Sequence, residues 1–153
     1  MQLYLAPDTP FLDFGCGTGL SGLALRAAGF ETIHGVDISN AMIEKARAKN
    51  AYQTLAVLES GAMPAETYRG ICAIGVIGAG AAPIETFDLI WTGLETGGYF
   101  VFSFNDHALE DPAFEAKVAW YTKSDKATVV LREYGDQLPG LNLNSVVYVL
   151  EKM

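Results

Sequence analysis

The chain has 153 residues, which is enough for one domain with a sizeable core, and half of its residues are hydrophobic. Only 18% of the residues are charged, which excludes the highly charged, weakly hydrophobic composition of disordered chains. The net charge of −8, from 10 basic and 18 acidic residues, leaves little material for a basic face, so we expect no nucleic-acid partner.

Short apolar runs alternate with helical patterns along most of the chain. Residues 11–14 predict a buried strand, and 19–28 predict a helix whose inward face carries Leu20 and Leu23. Further strands are expected over 32–36, 55–58, 71–74, 99–104, 128–133 and 145–150, and further helices over 41–50, 83–92 and 112–122.

This alternation predicts an α/β fold over 1–153, with a mostly parallel sheet and helices on both of its faces. The last two strands are joined by a loop rich in Gly, Pro and Asn over 135–144. Such a short connection favours an antiparallel hairpin at one edge of the sheet.

The compartment is predicted from what the sequence lacks. No apolar run reaches 18 residues, so no membrane span is expected, and the N-terminus does not resemble a secretory signal. Cys16 and Cys72 form neither a disulfide framework nor a Cys/His cluster, so we expect no metal site. This use of cysteine favours a reducing, cytoplasmic compartment.

The strongest chemical signal is the glycine-rich loop that follows the first strand, Asp13-Phe-Gly-Cys-Gly-Thr-Gly19. Gly15, Gly17 and Gly19 allow the backbone to turn sharply and to approach a ligand without intervening Cβ atoms. The helix that follows offers free N–H groups and the positive end of its dipole. A ligand site at this loop is therefore predicted.

Two ligand classes fit this loop. Gly17, Gly19 and Gly22 satisfy the GxGxxG pattern of dinucleotide-binding proteins, which favours NAD. Asp37 lies 20 residues after Gly17, where it can bind the ribose hydroxyls of either ligand. Asp13 favours S-adenosylmethionine (SAM), because an acid at the strand end would repel a pyrophosphate and attract a positive charge. We expect SAM and keep NAD as the alternative.

These motifs resemble those of the class I SAM-dependent methyltransferases over about residues 10 to 152. Residues 11–19 are similar to the first motif of that family, and residues 34–42 are similar to the second. The stretches 75–86 and 103–112 further resemble a small methyltransferase-like branch, that of the protein from the Williams–Beuren syndrome region. The resemblance implies a Rossmann-like sheet and transfer of a methyl group from SAM to a small-molecule acceptor.

The resemblance also implies which residues hold the cofactor. Asp37 would bind both ribose hydroxyls, while Ile38 and Met42 would flank the adenine. His107, just beyond the fifth strand, is the candidate general base, and the alternative is a loop histidine that caps the next helix or lies in solvent. The other cofactor-binding candidates lie on the loops after the first, third and fourth strands: Asp13, Gly15, Cys16, Gly17, Gly19, Glu59, Ser60, Gly75 and Val76.

Two departures from the family pattern concern the edges of the fold. Class I enzymes usually carry one or two helices before the first strand, but only about ten residues precede it here. Residues 59–70 are too few for a full crossover helix between the third and fourth strands. We therefore expect an open sheet edge that a second copy of the chain would cover as a homodimer. A SAM-binding module without catalysis is the alternative function.

Overall fold

Strands and helices alternate through residues 5–77, 82–138 and 143–153, which are the residues that the computed structural model describes. The strands are β1 (Phe11–Phe14), β2 (Ile33–Asp37), β3 (Thr54–Val57), β4 (Tyr68–Ala73), β5 (Leu94–Asn105), β6 (Ala127–Leu138) and β7 (Leu143–Lys152). The helices are α1 (Leu20–Ala27), α2 (Asn40–Arg47), α3 (Glu85–Thr92), α4 (Asp106–Leu109) and α5 (Pro112–Lys123).

The strands form one sheet in the order β3-β2-β1-β4-β5-β7-β6. The pairs from β3 to β5 are parallel, and β7 runs antiparallel to both β5 and β6. The predicted α/β fold with an antiparallel C-terminal hairpin is thereby confirmed. The strand order reverses between β1 and β4, and ligands of open α/β sheets bind at such a switch point.

The two faces of the sheet are covered unequally. On one face, the side chains of Phe100, Phe102 and Phe104 alternate along β5 and are fully buried in the larger hydrophobic cluster. Phe87 of α3 lies at the centre of that cluster, with its ring 5.1 Å from the ring of Phe102. The opposite face carries a smaller cluster that includes Phe11 and Phe30. Most of the aromatic core therefore lies between the sheet and helices α3 and α5.

The inward face of α1 differs from the prediction. Leu20 and Leu23 are 58% and 40% exposed, whereas Gly22 and Leu25 are buried. The prediction was wrong because the helix packs against the sheet through a glycine, with the ring of Tyr52 directly beneath it. The prediction relied on the positions of apolar side chains, which favour the face with the leucines. Glycine has no side chain, so its face carried no such signal.

Several elements also differ in length from their predictions. Strand β5 begins five residues earlier than expected, β6 ends five residues later, β7 begins two residues earlier, and α4 was not predicted. Asn105 is the N-cap of α4, and its side chain accepts a hydrogen bond from the N–H of Ala108 at 2.8 Å. No helix occurs between β3 and β4, as expected, and β3 lies at the edge of the sheet. None of the helices in the described ranges is long and apolar enough to cross a membrane.

Candidate functional site

A cavity of about 680 Å³ lies at the carboxyl ends of β1, β2, β3 and β4. Its volume is within the range of roughly 300–1,000 Å³ that is typical of small-molecule sites. Nine of the twelve residues expected to bind the cofactor line this cavity: Gly15, Gly17, Asp37, Ile38, Met42, Glu59, Ser60, Gly75 and Val76. The structure therefore brings together residues from four separate loops.

The glycine-rich loop after β1 has two glycines at the cavity, and each is required for a different reason. Gly15 and Gly17 have positive φ angles of 68° and 56°. A Cβ at Gly15 would lie 2.6 Å from Cγ2 of Val76, so this glycine permits close contact with the loop after β4. A Cβ at Gly17 would meet no atom within 4 Å. Gly17 therefore borders open space beside the cavity.

Asp37 joins the loops that follow β1 and β2. Its Oδ2 accepts a hydrogen bond from the N–H of Gly17 at 2.9 Å, and its Oδ1 accepts one from the N–H of Ser39 at 2.9 Å. Each oxygen of a carboxylate has two acceptor positions, so Asp37 can accept further hydrogen bonds from hydroxyl groups of a ligand. The two N–H donors also fix the orientation of the carboxylate before any ligand binds.

Two apolar side chains beside Asp37 are unusually exposed. Ile38 is 68% exposed and Met42 is 38% exposed, although both line the cavity. Exposed apolar surface in a concave site favours an apolar ligand group, because about 25 cal/mol is gained per Å² removed from water. This pair of side chains can accommodate a flat, apolar ring system.

The loop after β4 is held by a buried side chain of β5. The N–H of Gly75 donates a hydrogen bond to Oγ of Ser103 at 2.9 Å, and Ser103 is 1% exposed. Gly75 has a φ of 69°, a conformation that is easily adopted by glycine. Ser103 was not singled out from the sequence, and it fixes the wall of the cavity formed by Gly75 and Val76.

The charge of the cavity is negative. Among the described residues that line it, Asp37 and Glu59 are ionisable, and none is lysine, arginine or histidine. The remaining wall towards α3 is largely apolar and includes Leu58, Pro83 and Leu89. The cavity therefore favours neutral or cationic ligand groups over anionic ones.

Asp13 does not line the cavity, in contrast to the expectation that it faces the positive charge of a ligand. Its side chain is fully buried, and its Oδ2 accepts hydrogen bonds from Ser21 Oγ at 2.5 Å and from the Tyr52 hydroxyl at 2.6 Å. Burial raises the pKa of this carboxyl. The reason for the difference is that Asp13 binds hydroxyl groups of α1 and of the segment before β3.

Cys16 and Gly19 also lie behind the cavity rather than on its wall. Cys16 is 3% exposed and packs against Ile43 and Ala46 of α2. Burial raises the pKa of its thiol to about 12, so the reactive thiolate is not formed near neutral pH. Gly19 has a φ of 100° and forms the N-cap of α1. Both residues support the loop from the side away from the cavity.

Tyr52 is the residue of this region that the sequence reasoning missed. Its ring lies beside Gly22 and Gly35, and an added Cβ at these positions would come within 2.3 Å and 2.7 Å of ring atoms. Isolated glycines inside a predicted helix and a predicted strand indicate close packing, and that signal was available. Gly22, the third glycine of the dinucleotide pattern, therefore accommodates Tyr52 and does not line the cavity.

The backbone of His107 lies in α4, beyond the carboxyl end of β5. Its side chain lies outside the described part of the structure, so its role as a base stays a prediction. The neighbouring Asp106 accepts a hydrogen bond from the hydroxyl of Tyr134 at 2.6 Å. This contact joins α4 to β6 at the same edge of the sheet.

Comparison with known proteins yields a match to a family model described as "Methyltransferase domain" over residues 3–138. Methyltransferase-like protein 27 from Homo sapiens is 40% identical over 76 residues, which cover 47% of this chain and 31% of that protein. The chain therefore spans less than a third of the length of this curated relative.

Solved structures with a similar fold are more distant in sequence. Magnesium protoporphyrin IX methyltransferase from Synechocystis PCC 6803, solved with bound SAM, superposes with a TM-score of 0.73 at 16% identity, covering 95% of this chain and 71% of that one. The ribosomal protein L11 methylase from Lactobacillus delbrueckii subsp. bulgaricus gives a TM-score of 0.73 at 16% identity, covering 99% and 73%. At such identities the likeness concerns the fold.

Proposed function

The chain belongs to the methyltransferase-domain family, and from this premise we propose that it binds SAM and transfers the methyl group to a small-molecule acceptor. The observation that carries the proposal is the convergence of nine candidate residues on one cavity at the switch point of the sheet. These residues come from the loops after β1, β2, β3 and β4, and they include the acid and the glycines of both motifs.

The residues of the cavity fit the parts of SAM. Asp37 has free acceptor positions for the two ribose hydroxyls, and its orientation is already fixed by two N–H groups. Ile38 and Met42 offer apolar contact to the adenine. Gly17 leaves open space where a side chain would otherwise stand. Glu59 and Asp37 favour a ligand that carries positive charge.

SAM supplies a methyl group that its positive sulfonium makes electrophilic. The task of the chain is then to hold the acceptor atom in line with the bond that breaks, and orientation of this kind contributes on the order of 7–11 kcal/mol. The apolar wall near α3, with Leu58, Pro83 and Leu89, adjoins the loops after β3 and β4. This wall is suited to hold the acceptor and exclude water.

The acceptor that we propose is a small molecule without negative charge. No basic side chain occurs among the described residues that line the cavity, so a phosphate or carboxylate group on the acceptor would have no cationic side chain to pair with there. The two similar structures named above are called methyltransferases of a tetrapyrrole and of a ribosomal protein, so the fold admits both kinds of acceptor. The support for a small molecule comes from the volume of this chain's cavity, about 680 Å³.

His107 is the proposed base for acceptors that must lose a proton. Its support is its position in α4, directly after the carboxyl end of β5. General-base catalysis contributes roughly 10²–10⁴-fold to a rate. We therefore expect the contribution of His107 to be larger for an acceptor hydroxyl than for an amine that is already neutral.

Calorimetric titration with SAM, S-adenosylhomocysteine (SAH) and NADH tests the binding part of the proposal. We expect micromolar affinity for the two adenosyl ligands and no binding of NADH. Asp37→Asn should weaken SAM binding by about tenfold or more, because hydrogen bonds to a charged group contribute roughly 1.5–3 kcal/mol. Binding of NADH without SAM would instead support the dinucleotide alternative.

The matched control is Asp88→Asn, which alters a carboxylate away from the cavity. Asp88 of α3 accepts hydrogen bonds from Lys117 and Tyr121 of α5. We expect this variant to lose thermal stability but to keep the SAM affinity of the parent chain. Equal affinity losses in both variants would contradict a direct role of Asp37 in ribose binding.

Catalysis is tested separately from binding. The purified chain is incubated with SAM carrying a labelled methyl group and a panel of neutral and cationic small molecules, and SAH formation is measured. We expect SAH formation that depends on an acceptor. SAM binding without turnover on the whole panel would favour the alternative of a binding module.

A further inference from the structure

Tyr52 lies outside the cavity, yet its side chain reaches the loop that lines it. The residue comes from the segment between α2 and β3, and its ring passes between Gly22 of α1 and Gly35 of β2. A Cβ on Gly22 would lie 2.3 Å from Cζ of the ring, and one on Gly35 would lie 2.7 Å from Cδ1. The chain thus has a glycine on each side of this ring.

The hydroxyl of Tyr52 joins the two ends of the glycine-rich loop. It donates a hydrogen bond to Oδ2 of Asp13, at the end of β1, over 2.6 Å. It also accepts one from the N–H of Gly22, in the first turn of α1, over 3.1 Å. Ser21 strengthens this junction, since its Oγ donates to the same oxygen of Asp13 at 2.5 Å. We call these three hydrogen bonds the clasp.

Tyr52 also supports the middle of the loop. Its ring packs against the small cluster that contains Cys16, whose N–H donates a hydrogen bond to the carbonyl of Val36 at 3.0 Å. Gly15 and Gly17, on either side of Cys16, line the cavity. One side chain therefore contacts both ends and the centre of the segment that faces the ligand.

We propose that Tyr52 is a positioning residue for the cofactor, which acts through Asp13 by holding residues 14–20 in the conformation that SAM binds. The inference rests on the proposed SAM site. A loop with three glycines of positive φ has many alternative conformations, and its ordering would otherwise oppose binding. The clasp orders the loop before the ligand binds, so the loss of conformational entropy does not weaken SAM binding.

The first experiment compares Tyr52→Phe with Tyr121→Phe by SAM titration and thermal unfolding. Tyr121 is a matched control, because its hydroxyl also donates to a carboxyl group, that of Asp88, at 2.6 Å. Both variants should lose thermal stability. We expect only Tyr52→Phe to raise the Kd of SAM, by roughly twofold to tenfold, the effect of one lost hydrogen bond inside the protein.

Asp13→Ala tests whether Tyr52 acts through Asp13. In that background the effect of Tyr52→Phe on the Kd should fall to less than half of its value in the parent chain, because the acceptor of the Tyr52 hydroxyl is gone. An undiminished effect would overturn the coupling. Should Tyr52→Phe be unfolded at the temperature of the assay, Ser21→Ala removes another hydrogen bond of the clasp and takes its place.

A second measurement needs no ligand. The chain has two buried cysteines, Cys16 in the loop and Cys72 in β4, and their alkylation by iodoacetamide can be followed by mass spectrometry. Loosening of the loop in Tyr52→Phe should accelerate the labelling of Cys16 at least severalfold, while Cys72 labels at the parent rate. Equal acceleration of both cysteines would indicate a merely structural role and overturn the inference.

The outcomes separate this inference from the proposed function. A parent chain that binds no SAM overturns the proposed function and the cofactor role of Tyr52, and the labelling of Cys16 then decides whether the clasp holds the loop. A parent chain that binds SAM, together with an equal affinity in Tyr52→Phe, overturns the positioning role and leaves the proposed function intact.

Discussion

Asp13 and Asp37 lie near the carboxyl ends of the neighbouring strands β1 and β2, but their surroundings are different. Asp37 lines the cavity and accepts hydrogen bonds from two backbone N–H groups. Asp13 is fully buried, and its partners are the hydroxyls of Ser21 and Tyr52. Burial disfavours the ionised form of Asp13 and raises its pKa, although the hydrogen bonds from the two hydroxyls oppose this shift.

The raised pKa of Asp13 predicts how stability depends on pH. The folded state holds the proton more tightly than the unfolded state, whose pKa is near 3.8. The stabilising contribution is therefore complete below that value and is lost as the pH rises through the higher pKa of the folded state. Asp13→Asn cannot ionise, so its stability relative to the parent should increase from about pH 4 towards neutral pH.

Thermal unfolding of both proteins across this range measures the effect of Asp13. Each unit of pKa difference between the folded and unfolded states corresponds to about 1.4 kcal/mol in the free energy of unfolding. A difference between variant and parent that stays constant with pH would contradict the prediction. The free energy of unfolding of the parent should fall furthest below that of Asp13→Asn at the highest pH.

The residues of the cavity could be predicted because their signal is local. Gly15, Gly17 and Asp37 follow the ends of strands that read clearly as apolar runs, and parallel strands bring such ends together. The orientation of Asp13 could not be predicted in this way. It depends on Tyr52, which lies 39 residues further along the chain and approaches from behind the loop.

At the level of elements, the packing of α1 on the sheet is set by one ring between two glycines. Alanine normally replaces a glycine inside a helix with a gain of about 0.5–1 kcal/mol in stability. Gly22 is different, because its Cβ would lie 2.3 Å from Cζ of Tyr52. A helix propensity scale therefore gives the wrong sign for the change in stability when Gly22 is replaced by alanine.

Gly22→Ala is predicted to destabilise the parent chain by about 1–3 kcal/mol, the usual effect of overpacking. In a Tyr52→Ala background the same change should be neutral or stabilising, because the obstructing ring is absent. Urea unfolding of the four proteins of this double-mutant cycle gives the two effects separately. The same sign in both backgrounds would show that α1 does not depend on this contact.

The elements that sequence patterns predicted least well are those fixed by tertiary contact. Helix α4 has only four residues, too few for a periodic pattern, and it depends on the side chain of Asn105. The buried face of α1 was misassigned because Gly22 carries no hydrophobic signal. The parallel strands β1 to β4, in contrast, carried short apolar runs and were found within a few residues of their observed bounds.

For the whole molecule, the alternation of strands and helices was sufficient to predict the sheet and its C-terminal hairpin. Strand β3 lies at the edge of the sheet, and the segment between β3 and β4 contains no helix, as its short length predicted. Among the described strands, none pairs with the outer side of β3, and pairing of a second copy there as a homodimer stays a prediction. Association would be measured by sedimentation of the purified protein.

The net charge of −8 gives the whole molecule a negative field, and the cavity adds Asp37 and Glu59. SAM carries one more positive charge than SAH, because its sulfonium loses its charge with the methyl group. Negative charge around the cavity therefore favours SAM over SAH in proportion to the strength of the field. Salt weakens this preference, since the Debye length falls from about 30 Å at 0.01 M to about 3 Å at 1 M.

We therefore predict that the ratio of the Kd of SAH to that of SAM falls severalfold as ionic strength rises from about 0.01 M to about 1 M. Calorimetric titration of both ligands at several salt concentrations measures it. Glu59→Gln, which removes a charge at the cavity, should lower the ratio at low salt, whereas Glu133→Gln, on the exposed part of β6, should leave it nearly unchanged. A ratio that is independent of salt in the parent chain would mean that the field does not reach the ligand, and that contacts with neutral groups alone decide between substrate and product.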